Sequence, residues 1–338
     1  MVRVLIAGLI AMVISIVIGP KFIEFLRRHD LGQPIREEGP AGHVVKQGTP
    51  VMGGLLIVLA ALVPFLVLSR YTLSALTVLF VTLGCALIGF ADDFIKLRHR
   101  RSLGLPGRVK MAALLAITVG VSVAVNHVSS LDTSIYVPIV NADVQLSYGY
   151  YVLLFLVIAG AANGVNLTDG LDGLAAGTAI IALLTFLSIV VIAYIRSGTP
   201  GSRSDTSLDL AILGAALIGG TIGFLWYNAF PAEVFMGDTG SMALGGALAG
   251  FAIMTDTEIL LLLIGGVFAI EALSVIVQVF SFKYLSGRRP FLMTPIHHHF
   301  EMKAWSETKI MVRFWILAAI LCACGFVLFY RYYLQFKP

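Results

Sequence analysis

Long apolar stretches and short polar connections alternate along the whole chain. Mostly apolar runs of about 20 residues recur, the length an α-helix needs to cross the hydrocarbon core of a bilayer. Ten such segments can be drawn, at 2–20, 51–69, 72–91, 109–127, 148–165, 173–195, 208–228, 239–255, 258–284 and 309–332. The ninth is long enough to break, which would leave its C-terminal part free to lie along the membrane interface. The pattern predicts an all-α, polytopic integral membrane protein of about ten transmembrane helices, with residues 1–338 forming one transmembrane domain. The run from Val4 to Ile18 resembles the core of a secretory leader. No small-residue cleavage site follows it, and Gly19-Pro20-Lys21 reads as a helix end, so a retained first span is expected. No internal repeat stands out, which argues against a transporter built from duplicated halves.

Composition supports the same reading. Charged residues make up 12% of the chain and hydrophobic ones 58%, with a mean hydropathy of +0.93. Soluble domains carry about 25% charged residues. A pI near 9.0 would suit a nucleic-acid binder, but the basic residues lie in the connections between apolar runs, so no nucleic acid is expected and the charge reports orientation instead. An even number of spans puts both termini on one side. Sixteen of the 23 Lys and Arg then fall in the connections at 21–50, 92–110, 163–172, 229–238 and 283–309, six fall on the other side, and Arg313 lies inside the last span. The positive-inside rule makes the first set cytoplasmic and both termini extracytoplasmic. Cys85, Cys322 and Cys324 sit inside apolar runs, with no metal or disulfide spacing.

On that assignment the polar motifs share one face. KQGTPVMGG (46–54), ADDFIK (91–96), NGVNLTDGLDGLA (163–175), FMGDTGS (235–241) and TPIHHHFE (294–301) all fall on the cytoplasmic side. Carboxylates at a membrane edge are costly and are functional candidates by default. Asp92 and Asp93 are adjacent, and their repulsion would be relieved by Lys96 one helical turn on or by a magnesium ion, which favours carboxylate and phosphate oxygens. A solvated helix end paired with Lys96 is the plainer reading. Asn163, Asn166, Asp169 and Asp172 recur every three residues among glycines, a pattern that suits close approach to a ligand or an Asx-rich turn. Asp238 stands between glycines where it could cap a helix or, as a third acid on this face, bind metal. Phe235 could stack on a base or simply pack. His297, His298 and His299 are consecutive and cannot all face one ion. Flanked by Arg288, Arg289 and Lys303, they suit a phosphate site or proton transfer, or form a plain polar loop.

Together these strings resemble the bacterial phospho-N-acetylmuramoyl-pentapeptide transferase family, within the polyprenyl-phosphate N-acetylhexosamine-1-phosphate transferases. The resemblance runs from about Gly32 to the last span, and the strings NLTDGLDGLA and PIHHHFE are its most specific parts. Val51 departs from the pattern, where Thr is usual. The resemblance implies transfer of phospho-N-acetylmuramoyl-pentapeptide from UDP-N-acetylmuramoyl-pentapeptide to undecaprenyl phosphate, giving lipid I and UMP. It implies Mg²⁺, the bacterial cytoplasmic (inner) membrane and a homodimer. Carried over by motif, Asp238, Asp92 and Asp93 would be the metal and catalytic acids, with Asp92 as base and His297 joining the catalytic group. Lys46, Asn166, Asp169, Asp172 and Phe235 would line the nucleotide pocket. Lys96, Lys110, Asn228, His297 and His298 would hold phosphates or the sugar-peptide, and Asn163 and Gln278 complete the substrate-binding set. Direct attack by the lipid phosphate is preferred to a phospho-aspartyl intermediate.

Three other readings compete. A sister enzyme would transfer GlcNAc-1-phosphate to the same lipid, with 283–309 as the discriminating segment. A transporter would distribute ionisable residues through the membrane thickness, where Glu271 is the main exception to their absence. An inactive scaffold would keep the motifs and turn nothing over.

Overall fold

The computed structural model describes residues 1–29, 48–99, 103–127, 133–137, 142–199, 201–285 and 287–336. Twelve helices occur among them: α1 (Val2–Arg28), α2 (Gly54–Leu68), α3 (Leu73–Arg98), α4 (Gly107–His127), α5 (Gly149–Thr168), α6 (Leu174–Arg196), α7 (Asp205–Asn228), α8 (Gly237–Met254), α9 (Leu261–Ile264), α10 (Gly266–Tyr284), α11 (Ile296–Glu301) and α12 (Glu307–Phe336). Eight of these, α1, α3 to α7, α10 and α12, are long and apolar enough to cross a membrane. The chain is therefore a multi-pass helical membrane protein.

The ninth expected segment is interrupted. Its apolar run begins in turns, forms the single turn α9, and restarts as α10 across Gly265. A glycine at this junction carries no helix-favouring side chain and weakens propagation. One element departs from the all-helical expectation. Between α4 and α5, β1 (Ser134–Val137) pairs antiparallel with β2 (Ala142–Gln145), with Ser134 opposite Gln145. The β-branched and aromatic residues of Ser-Ile-Tyr-Val suit a strand, and four residues are too few to register as an apolar span.

Packing places α7 and α8 at the centre. In α7, 89% of the apolar window is buried inside the protein, against 28% in α1 and α12, whose outer faces remain exposed. Every residue of α8 from Thr239 to Met254 is buried. Without a hydrophobic drive between helices in lipid, small residues that let backbones approach supply the association. Helix α8 runs antiparallel to α3 on such a seam, with Gly250 against Val78, Gly246 against Val81 and Cys85, and Gly89 against the backbone of Asp238. Helix α1 meets α7 through Gly8, Gly219 and Gly223 in the same way. The seam between α3 and α8 aligns the ADDFIK end of one helix with the FMGDTGS start of the other.

Candidate functional site

Asp92 and Asp93 close the last turns of α3 and are almost fully buried, at 1% and 2% exposure. They face different ways. Asp93 turns toward the first turn of α8, whose leading N–H groups have no partner inside their own helix. Its Oδ1 accepts from the Asp238 amide at 3.1 Å, and its Oδ2 accepts from the Thr239 amide at 2.9 Å and the Thr239 hydroxyl at 2.7 Å. The cap of α8 is thus supplied by another helix. Gly237 makes the approach possible: its φ of +73° favours glycine, and a Cβ there would press on Asp93 Oδ2.

Asp92 and Asp238 are joined by two lysines. Lys96 Nζ lies 2.6 Å from Asp92 Oδ2 and 3.0 Å from Asp238 Oδ1. Lys110 Nζ, from the start of α4, lies 2.9 Å from Asp92 Oδ1 and 2.8 Å from Asp238 Oδ2. The Leu105 amide also donates to Asp92 Oδ1 at 2.7 Å, folding the connection before α4 onto the site. The carboxylate oxygens of Asp92, Asp93 and Asp238 come within 4.8 Å of one another. An all-oxygen donor set of this charge fits a hard divalent cation such as Mg²⁺. The paired lysines balance the charge of the acids.

The 163–173 segment docks beside this cluster. Asn166 Nδ2 donates to Ser241 Oγ at 3.0 Å, and Asp172 Oδ2 accepts from the Ala232 amide at 3.0 Å. Asp169, just past the end of α5, accepts from the Gly237 amide. Burial of its carboxyl group, then the charges of Asp238, Asp93 and Asp172, push its pKa up to about 8. The KQGTPVMGG segment joins from the other side. The Gly53 and Gly54 amides donate to the carbonyls of Phe235 and Met236 at 2.9 Å each, and the Phe235 amide donates to Pro50 O at 2.8 Å. Lys46 lies outside the described residues.

The remaining candidates have structural partners. Asn228 is buried and spends both amide groups on the chain, accepting from the Gly173 amide at 3.1 Å and donating to Val234 O at 3.0 Å. Asn163 donates back to Ala159 O within α5 at 2.8 Å. Gln278 forms a two-bond clamp with the backbone of Phe291, at 3.0 and 3.1 Å. His298 contacts Glu301, 2.5 Å from Nδ1 to Oε2. His297 is fully buried, and its Nδ1 lies 3.1 Å from Glu271 Oε1. The acid that stood out inside an apolar span therefore has a partner in the histidine motif. Thr239 and the Leu105 amide were not anticipated. Neither carries a signal of its own, because each is defined by the carboxylate it meets.

Comparison with known proteins gives a consistent answer. The profile described as glycosyl transferase family 4 matches residues 75–256. Phospho-N-acetylmuramoyl-pentapeptide-transferase of Frankia alni is 44% identical, over 98% of each chain. The proteins of that name from a Geobacillus species and from Bacillus subtilis are 46% and 45% identical, each over 94% of this chain and 95% of its own. With a profile match over more than half of its length and relatives this similar along nearly all of it, the chain belongs to glycosyl transferase family 4, among the phospho-N-acetylmuramoyl-pentapeptide transferases.

Proposed function

We propose that the protein transfers phospho-N-acetylmuramoyl-pentapeptide from UDP-N-acetylmuramoyl-pentapeptide to undecaprenyl phosphate, forming lipid I and releasing UMP for peptidoglycan synthesis. The observation that carries this reading is the partly buried cluster of Asp92, Asp93, Asp238, Lys96 and Lys110 at converging helix ends, in a chain so similar to transferases of that name. An oxygen of the lipid phosphate attacks the sugar-linked phosphorus. The bond from that phosphorus to the UMP oxygen breaks, and a new diphosphate link to the lipid forms. Phosphoryl transfer of this kind depends mainly on positioning and charge neutralisation.

In this reading Asp238, Asp92 and Asp93 would hold Mg²⁺, which when bound would neutralise charge on the donor diphosphate. Asp92 accepts the proton of the lipid phosphate when that group arrives protonated. Lys96 and Lys110 exchange carboxylate oxygens for phosphate oxygens. Asp93 also keeps the start of α8, and so Asp238, in place. Lys46, Asn166, Asp169, Asp172 and Phe235 shape the nucleotide pocket, with Asn163 behind them. Asn228, Gln278 and His298 order the segments that meet the sugar-peptide. The shorter α2 and the glycine-rich α8 join the eight long apolar helices as spans, giving ten. Both termini are then extracytoplasmic and the site faces the cytoplasm. The protein resides in the bacterial inner membrane and works as a homodimer.

The test is UMP release by purified protein with undecaprenyl phosphate and Mg²⁺, using UDP-N-acetylmuramoyl-pentapeptide and UDP-GlcNAc in parallel with EDTA controls. Metal-dependent release from the first donor only is expected. Asp238→Asn should abolish it while the protein still purifies folded. Release only from UDP-GlcNAc would make the protein a GlcNAc-1-phosphate transferase, and normal turnover by Asp238→Asn would remove that residue from the metal site.

A further inference from the structure

Glu271 is a fully buried acid in the second turn of α10, on a helix that carries no other acidic residue. A charge inside a span is expensive and persists only with a partner or a function. Its partner is His297. Glu271 Oε1 lies 3.1 Å from Nδ1 of the ring, and Oε2 lies 3.5 Å from the His297 backbone amide, at the long end of hydrogen bonding. A backbone N–H can only donate, and an ionised carboxylate can only accept. With the carboxylate ionised, the proton of a neutral ring sits on Nδ1, and Nε2 faces the other way.

That second nitrogen is also buried, and among the described residues it has no hydrogen-bond partner. It abuts Gly170. A Cβ at position 170 would collide with it, so ring and glycine are in direct contact. Gly170 lies between Asp169 and Asp172 in the loop that bonds to the Gly237 and Ala232 amides. A continuous line of contacts thus runs from Glu271 through His297 and the 169–172 loop to the residue preceding Asp238.

We infer that Glu271 is a positioning residue for the nucleotide-donor loop, acting through the buried His297 ring rather than by touching substrate. The inference rests on the proposed donor pocket. It explains why the acid is a glutamate: two donors face it, and an amide would present an NH₂ group to one of them. It also assigns the first histidine of the motif a supporting part, distinct from that of His298.

The test compares wild type, Glu271→Gln, His297→Ala and the double variant. Glu271→Gln should raise KM for the UDP-linked donor by about tenfold, the equivalent of one lost buried hydrogen bond, and leave KM for undecaprenyl phosphate unchanged. The double variant should be no worse than His297→Ala alone, because the acid acts through the ring. An unchanged donor KM, an equal rise in both KM values, or multiplying effects in the double variant would overturn the inference. If Glu271→Gln does not fold, His297→Ala decides by the same donor-selective criterion. Hydrogen–deuterium exchange over residues 166–174 reads the loop without turnover. Faster exchange there in Glu271→Gln is expected, and unchanged exchange overturns the coupling. Should wild type release UMP from neither donor, the reaction assignment fails while the exchange measurement still decides this one.

Discussion

A carboxylate that accepts three hydrogen bonds from the next helix is held in one orientation, and this separates Asp93 from Asp92 although they are neighbours in the chain. Asp93 is fixed by α8, whereas Asp92 meets two lysine ammonium groups and one amide. A second buried acid illustrates the same principle away from the site. Glu258, in the turns between α8 and α9, accepts from the Tyr150 hydroxyl at 2.6 Å. Burial pushes its pKa up to about 7, against the lowering by Tyr150. A carboxyl group raised in the folded state contributes its stability fully below the unfolded value and loses it as pH rises through the folded one. The melting temperature of the wild type should therefore fall as pH rises from about 4.5 to about 7, starting from the ordinary range of a glutamate. In Glu258→Gln that slope should flatten, and an identical slope in both proteins would show that another group is responsible. The motif acids were legible in the sequence because they end or interrupt apolar runs, those of 163–175 and 235–241 among glycines. Asp209 was not. It is buried near the start of α7 and accepts from the Arg70 and Thr72 amides at 2.8 and 2.9 Å, partners 139 and 137 residues away that no local pattern discloses.

Helices meet here by backbone contact, so glycine positions differ sharply in what they tolerate. Gly89 on α3 faces the backbone of Asp238, which cannot swing aside as a side chain can. Gly89→Ala should force α3 and α8 apart and lower both melting temperature and turnover, by the 1–3 kcal/mol or so typical of an overpacked contact. Gly107, at the start of α4, has nothing within 4 Å of where its Cβ would lie. Gly107→Ala should leave stability unchanged or raise it by up to about 1 kcal/mol, through a stiffer unfolded chain. Thermal melts of the two variants side by side check the contrast, and equal effects would remove the seam as the reason. Element positions followed closely from hydropathy. The start of α8 lies at Gly237 rather than 239, and the ninth segment breaks at Gly265. The hairpin escaped because pairing between two four-residue strands is a tertiary event that leaves no periodic trace.

At the scale of the molecule, the distribution of lysine and arginine makes a statement about sidedness that the protein alone can test. Arg289 lies in the connection after α10 and Ser202 in the one before α7, on opposite sides of the proposed membrane. A cysteine introduced at Arg289 should react with an impermeant maleimide only in inverted vesicles, and one at Ser202 only in right-side-out spheroplasts. Labelling of both from one side would overturn the ten-span topology. Convergence of the site was legible in part, because five motifs shared one face once sidedness was assigned. Which motif touches which was not, since that depends on how α3, α5, α8 and α10 pack. Helix α8 brings a further consequence, for how the protein is made. Its sequence, Gly-Asp-Thr-Gly-Ser-Met followed by a stretch rich in glycine and alanine, offers little to lipid, and it falls outside the eight strongly apolar helices. Its first turn also depends on a carboxylate from α3. Such a segment gains little by entering a bilayer alone. In the ten-span topology it has to be delivered to a membrane where α3 and α5 already wait, so the carboxylate cluster comes into being at the moment late-synthesised chain is accepted by early-synthesised chain.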